Sequence, residues 1–270
     1  MPAQPCRACT GPTSPFATAR VLGHVEATYH RCGECGMVMA IDPTWLPEAY
    51  SDAIAALDVG LLDRCQILSN VTATLLRAER LRGGTFLDWA GGYGTLTRMM
   101  RDRGYDFHHT DPMAANVFAA GHEAPDLAGR RYDLVTAFEV LEHLVDPAAD
   151  LAEVAGATDR LLATTHLVPQ PAPGPEDWWY YTLESGQHIT FYTRASLQRL
   201  AERLGFDGVV TGSFVHLFHR GRVAPATRAV LRSAGAAYAT GLLTTLADRR
   251  HSLLEADVAA VKRQATVGRD

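Results

Sequence analysis

The chain has 270 residues, 47% of them hydrophobic and 20% charged, with a formal net charge of −5. That share of apolar residues fills one sizeable core with appendages, and the acidic balance disfavours a protein dedicated to nucleic acid. No apolar run reaches transmembrane length, and the opening MPAQPCRACTG lacks the apolar stretch of a signal peptide, so a cytoplasmic protein without a membrane partner is expected.

Four of the five cysteines are paired by spacing, as Cys6-x-x-Cys9 and Cys32-x-x-Cys35. Each turn can aim two thiolates at one ion, and two such turns supply a tetrahedral Zn²⁺ shell. Gly33 and Gly36 suit the tight second knuckle. Two disulfides are the alternative, and a cytosolic context argues against them. Four thiolates leave no open position for water or substrate, so the zinc is structural. It stabilises a segment too small to fold on its own core. His24 to His30 reads as a ribbon strand between the knuckles, and Asp42-Pro43 closes the unit, giving a zinc ribbon over 1–43.

Residues 44–82 read as a helical lid or connector. Thr44 is placed to cap a helix from Trp45 towards Leu57. A longer helix over Leu61 to Leu81 carries apolar residues at Leu61, Leu62, Ile67, Leu68, Val71, Leu75 and Leu76. Cys65 is a filler within it.

Residues 83–222 carry the main domain. Phe86-Leu87 is a short apolar run that leads into Asp88, Ala90, Gly91, Gly92 and Gly94. Leu96, Met99 and Met100 follow at helical spacing. Strand, glycine turn and helix bring backbone N–H groups to a bound nucleotide, although a Gly-Gly-x-Gly turn also occurs as an ordinary loop. A second strand over Tyr105 to Thr110 ends in Asp111. That acid lies about twenty residues on, where a carboxylate accepts ribose hydroxyls. Pro112 and Met113 open the next loop, Asn116 and Phe118 fall in a following helix, and Gly121 to Glu123 end a short third strand.

Asp88-x-Ala90-x-Gly92-x-Gly94 resembles the first motif of the class I S-adenosylmethionine-dependent methyltransferases, D/E-x-G-x-G-x-G, with Ala90 in place of its first glycine. Tyr132 to Phe138 looks like that family's fourth strand, and Glu139-Val-Leu-Glu-His-Leu144 like the segment after it. The likeness runs from about Thr85 to His219. It implies an α/β fold with a Rossmann-like, seven-stranded mixed sheet. It also implies S-adenosylmethionine held by Asp88, Ala90, Gly91, Gly92, Gly94, Asp111, Pro112, Met113, Phe138 and Glu139. Helices ahead of the first strand, with Tyr50, would then cover the site or simply pack on the domain.

The acceptor side is read from strand ends, where open parallel sheets bind ligands. His166 ends the fifth strand, and Glu142-His143 begins the helix after the fourth. A proline-rich loop leads into Trp178-Trp179-Tyr180-Tyr181, read as an aromatic wall over the substrate or, alternatively, a plug on the sheet. Gln187, His188 and Tyr192 follow, and Thr193 caps a helix to about Leu204. This stretch resembles the "E-H" segment of sugar C-methyltransferases that carry an N-terminal zinc module, with Gln187 in place of the acid. His188 is the first choice of general base, ahead of His166 and His143. Its alternative role is an orienting hydrogen bond in the loop. Phe206 to Thr211 and Ser213 to Phe218 form a final antiparallel pair, and 223–270 are helices that pack or form a dimer interface. The reading is a methyltransferase, monomeric or homodimeric, acting on a small polar acceptor such as a saccharide, by O- or C-methylation. A zinc-ribbon RNA methyltransferase and a non-catalytic cofactor-binding protein are the alternatives.

Overall fold

The computed structural model describes residues 4–51, 59–124, 127–232 and 251–267. At the amino end, β1 (Thr13–Val21), β2 (Val25–Cys32) and β3 (Val38–Ile41) pair antiparallel. Then come α1 (Leu46–Ala49) and α2 (Leu61–Ala78). The helix predicted from Trp45 is shorter than its sequence suggests. Trp45 itself is the N-cap and no side chain caps it, so Thr44 does not play that part. Residues 52–58, which held the rest of the predicted helix, lie outside the described residues.

The main sheet is built from β4 (Thr85–Trp89), β5 (Asp106–Thr110), β6 (Leu134–Ala137) and β7 (Arg160–Thr164), all parallel, with α3 (Thr95–Asp102) between the first two. The four residues of β6 are all buried, as in a strand covered on both faces. Two short helices, α4 (Pro147–Asp150) and α5 (Ala152–Ala157), cross between β6 and β7. Further on stand β8 (Thr190–Phe191), α6 (Arg194–Arg203), β9 (Gly208–Thr211), β10 (Val215–His219) and α7 (Pro225–Arg232). Thr193 and Ser196 cap α6 reciprocally, as the sequence suggested. The sheet order is β5-β4-β6-β7-β10-β9, with β10 antiparallel to both neighbours.

Among the described residues the main sheet therefore has six strands, not seven. A single parallel bridge from His109 to Glu123 occupies the seventh position, beyond β5. The helix predicted around Asn116 and Phe118 is absent too. Asn116 Oδ1 accepts the Ala119 amide and its Nδ2 donates to Glu123. Such side-chain bonds compete with the helical ladder. A carboxyl-terminal helix, Leu254–Val267, docks on this flank instead. Its buried Asp257 takes Arg101 through both carboxylate oxygens at 2.9 Å, Arg98 at 2.8 Å and faces His122 at 3.1 Å.

The ribbon's sheet is not closed on itself. Its order is β1-β2-β3-β8, so its fourth strand comes from the main domain. The core of this unit likewise mixes ribbon residues Tyr29, Val38 and Ala40 with Tyr180, Tyr181, Ile189 and Phe191. The sequence division after residue 43 thus falls inside a continuous packing unit.

Candidate active site and cysteine centre

The glycine turn is shaped by positive backbone angles. Gly92 has φ +58° and Gly94 φ +81°. A Cβ on Gly94 would sit 2.7 Å from Asn116 Oδ1 and 2.9 Å from the Ala119 methyl, so glycine is needed there on both counts. A Cβ on Gly91 would overlap the Asp88 carboxylate. Ala90 also lies in the left-handed region, at φ +54°. The glycine that the family pattern places there would avoid a cost of about 1 kcal/mol.

Asp88 does not face the cleft. It is buried beneath the turn, where Oδ1 accepts from Thr136 Oγ1 at 2.7 Å and Oδ2 from Thr97 Oγ1 at 3.3 Å. Burial pushes its carboxyl up to about 7. Its role is to tie β4, β6 and α3 together, which corrects its reading as a cofactor contact. Asp111 does reach the turn. Its Oδ2 accepts the Gly92 amide at 2.8 Å, and Oδ1 accepts Met113 and Ala114 amides at 2.7 and 2.8 Å. A carboxylate has about four acceptor sites, so one remains for a ribose hydroxyl rather than two. Pro112 and Met113 are exposed beside it, Met113 to 61%. Val117 and Phe118, also exposed, donate their amides to the Tyr93 carbonyl across the turn. An apolar rim of Met113, Val117, Phe118 and Tyr93 thus borders the glycines.

Past β6, Phe138 is partly buried against the sheet core. Glu139 turns the chain at φ +55°, and its partners hold that strained residue in place. Its amide donates to Thr164 Oγ1 at 2.7 Å, and Thr164 Oγ1 donates to its Oε1 at 2.7 Å. Its other oxygen faces Arg64 of α2 at 3.5 Å.

Two histidines pack on one buried tyrosine, and a third packs on one of them. The Tyr180 ring lies 4.8 Å from His166 and 4.6 Å from His188, and His143 lies 4.8 Å from His188. His188 Nδ1 donates to the Tyr180 carbonyl at 2.7 Å, so its Nε2 keeps the lone pair. Burial holds His188 down at about 4 and, with the neighbouring His188, holds His143 at about 3. Burial also lowers His166. His143 Nδ1 meets the Tyr50 hydroxyl at 2.8 Å and the Gln187 carbonyl at 3.1 Å. His143 sits on a 3-10 turn, Leu141–His143, rather than at the start of the predicted helix.

The aromatic run divides its roles. Trp179 is 69% exposed and its ring lies 5.1 Å from His166. Tyr180 and Tyr181 are buried, and Trp178 is partly so. Tyr181 packs 5.3 Å from Tyr29 and 4.2 Å from Phe191. Three of the four are therefore core, because β8 and the ribbon close over them, and only Trp179 fits the predicted wall. Tyr192 is also core, with its hydroxyl donating to the Leu141 carbonyl at 3.0 Å. Gln187 is buried and donates to the Ala49 carbonyl at 2.8 Å. These three, Tyr181, Tyr192 and Gln187, brace the site and do not line it.

Glu142 was not singled out by its sequence position. It is fully buried, with the Tyr180 and Thr165 hydroxyls close to its carboxyl and no cation paired with it among the described residues. The Tyr180 and Thr165 hydroxyls nearby pair with each other at 3.2 Å. Burial, then the charge of Glu139, push its carboxyl up to about 8. Arg7 is held inside the fold. Its guanidinium donates to Ile189 O at 3.1 Å, Thr190 Oγ1 at 2.7 Å and Ala40 O at 2.7 Å.

At the other end of the ribbon, Cys6, Cys9, Cys32 and Cys35 bring their sulfurs within 4.8 Å of one another. Contacts of 3.5 Å join Cys6 to Cys35 and Cys9 to both Cys32 and Cys35. Tetrahedral Zn–S bonds of about 2.3 Å set sulfurs about 3.8 Å apart, so the thiol set fits one such ion. A polar depression lined by Arg131, Tyr132, Asp133, Asp159 and Arg160 lies at the amino ends of β6 and β7. It is on the opposite edge from the histidines.

A family profile described as a methyltransferase domain matches residues 63–211. No curated protein sequence matches the chain. Solved structures share parts of the fold. The mitomycin 7-O-methyltransferase MmcR is 15% identical over 66% of this chain and 60% of its own, at a TM-score of 0.47. The calicheamicin-biosynthesis methyltransferase CalO1 is 16% identical over 56% of this chain and 54% of its own, at 0.39. The magnesium protoporphyrin IX methyltransferase ChlM of Synechocystis PCC 6803, with bound SAM, is 19% identical over 66% and 90%, at 0.41. The chain thus spans about half the length of CalO1.

Proposed function

The chain belongs to the methyltransferase domain family, and on that premise we propose that it methylates a small polar acceptor, a saccharide or comparable metabolite, on oxygen or carbon. S-adenosylmethionine, when bound, supplies the electrophilic sulfonium methyl. The residues present fit it. The positive-φ turn at Gly92 and Gly94 lets backbone approach a ligand. The remaining acceptor site of Asp111 would take a ribose hydroxyl, and the rim at Met113 and Phe118 would cover the adenine.

The observation that carries the acceptor assignment is the packing of His166 and His188 on Tyr180, with His143 on His188, beside Glu139 at the carboxyl ends of β6 and β7. His188 is the base in this reading. Its Nδ1 is committed to the Tyr180 carbonyl, and Nε2 receives the proton that the acceptor gives up. Burial keeps the imidazole neutral at physiological pH, with Nε2 open to accept, and sets its basicity below the near-neutral value that serves a general base best. Trp179 beside His166 offers one apolar face, and Arg64 and Glu139 offer polar contacts, a mixture that suits a hydroxyl-rich acceptor. The nucleic-acid alternative, which calls for a basic face on the ribbon, loses Arg7 to the packing of β3 and β8.

The cysteine centre is proposed to hold one structural Zn²⁺. The test of the whole reading has two arms. Asp111→Ala should weaken S-adenosylmethionine binding by about 1–3 kcal/mol in calorimetry. His188→Ala should lower turnover by about two to four orders of magnitude and spare that affinity. Unchanged affinity in the first variant, or unchanged turnover in the second, would overturn the assignment of that residue.

A further inference from the structure

We propose that Glu142, His143 and His188 form a second metal site, separate from the cysteine centre, for a first-row divalent transition ion such as Zn²⁺, Co²⁺ or Ni²⁺. One ligand atom from each of the three lies within 4.8 Å of the others. Two imidazoles and one carboxylate form a donor set that suits these ions rather than Mg²⁺ or Ca²⁺. Bonds of about 2.1 Å hold neighbouring ligands about 3–3.5 Å apart, a closure within reach of side-chain rotation.

Two further observations point the same way. Metal-bound histidines usually donate their second ring N–H to a carbonyl or carboxylate, which fixes the tautomer. Both histidines meet that condition, His188 against Tyr180 O and His143 against Gln187 O. In each case Nε2 is left with the lone pair. Glu142 supplies the other half of the argument. A fully buried carboxyl that faces the Tyr180 and Thr165 hydroxyls and, among the described residues, has no paired cation is costly to ionise, and a bound cation offsets that cost. The groups around the site are Tyr50 on the connector, Glu139 on the β6 turn, and Thr165, His166 and Tyr180 beyond β7. Arg64 faces Glu139, and its charge acts on His188.

The consequence for turnover rests on the reading of His188 as the base. An ion at this site takes the Nε2 lone pair, so metal occupancy and methyl transfer exclude each other. The metal acts as a reversible brake on the pocket.

The full chain, purified with its cysteine centre filled by Zn²⁺, is titrated with Co²⁺. Uptake is counted by native mass spectrometry and by visible absorption of Co²⁺. The parent should take a second ion, with spectral bands of nitrogen and oxygen ligation rather than thiolate ligation. Glu142→Gln and His143→Ala should take none beyond the first. Circular dichroism and S-adenosylmethionine calorimetry establish that each variant is folded, and Glu142→Gln, which keeps the side chain's shape, serves where His143→Ala does not fold. A parent that binds one ion only, or a second ion that persists in Glu142→Gln, overturns the site. Loss of turnover on Co²⁺ addition, reversed by a mild chelator, is expected of the parent; turnover unchanged or raised by the ion overturns the brake. Ion counting is independent of turnover, so failure of the base assignment leaves this test readable.

Discussion

Arg7 stands between Cys6 and Cys9, yet its side chain reaches the strand that follows His188. Its guanidinium bonds Ile189 O, Thr190 Oγ1 and Ala40 O, which fastens β8 to β3 immediately after His188. Hydrogen bonds from a charged donor are worth about 1.5–3 kcal/mol each. The sum of three overstates the loss, because the guanidinium is itself desolvated by burial. A net cost of roughly 2–4 kcal/mol for Arg7→Ala is the reasonable scale, concentrated on the β3–β8 junction. Lysine does not rescue it, because one ammonium cannot reproduce a planar fork that reaches three acceptors. A junction loosened by this much lets the His188 loop drift, and a 1 Å misplacement costs about a hundredfold in rate. The assay is steady-state turnover beside calorimetric S-adenosylmethionine affinity, for Arg7→Ala and Arg7→Lys. Turnover should fall by about 10–100-fold with affinity within about twofold of the parent. Undiminished turnover in a variant with a lowered Tm would refute the link between ribbon and pocket. So would a parallel loss of cofactor affinity.

Three other outcomes follow from the geometry. Metal analysis should find one zinc per chain on the cysteine centre, and Cys32→Ser should loosen the ribbon while calorimetry still detects the cofactor; a metal-free, fully folded parent contradicts this. Stability should peak at roughly pH 6–7. Buried His143, His188 and His216 stay neutral to about 3, 4 and 4, so their contribution is intact above the unfolded value near 6.5 and is lost as acid is added. Glu142 and Asp88, raised to about 8 and 7, contribute fully below their unfolded values near 4 and lose that contribution as pH rises through 7 to 8. A Tm that climbs steadily from pH 5 to pH 8.5 would contradict that balance. Finally, Asp257→Asn breaks the buried pairs to Arg98 and Arg101, at a cost of about 3–5 kcal/mol. Amide exchange near Leu254 should then lose protection, and protection equal to the parent's would show that other contacts dock the helix.

What was legible in the sequence is what local chemistry dictates. The glycine turn, the acid after the second strand and the four thiols each need particular residues at fixed spacing, and each appears where the spacing put it. Thr193 capped its helix because the cap is decided within four residues. The failures share a different cause, since each was settled by a partner far along the chain. The aromatic run read as a wall because four consecutive rings look functional; Tyr29 and Phe191, from two other strands, turned Tyr181 into core. Tyr192 and Gln187 have polar ends that look available until Leu141 and Ala49 take them. Glu142 reads as an acid at the start of a helix, and its complete burial shows only once the chain has folded around it. A strand lent to the ribbon by the main domain fixes the backbone on the carboxyl side of His188, while Trp45 bonds the Gly186 carbonyl at 2.8 Å on its amino side. His188 is therefore held from both directions, by the pairing of β8 with the ribbon and by the Trp45 bond from the connector, so the ribbon packs as one unit with the loop that carries it.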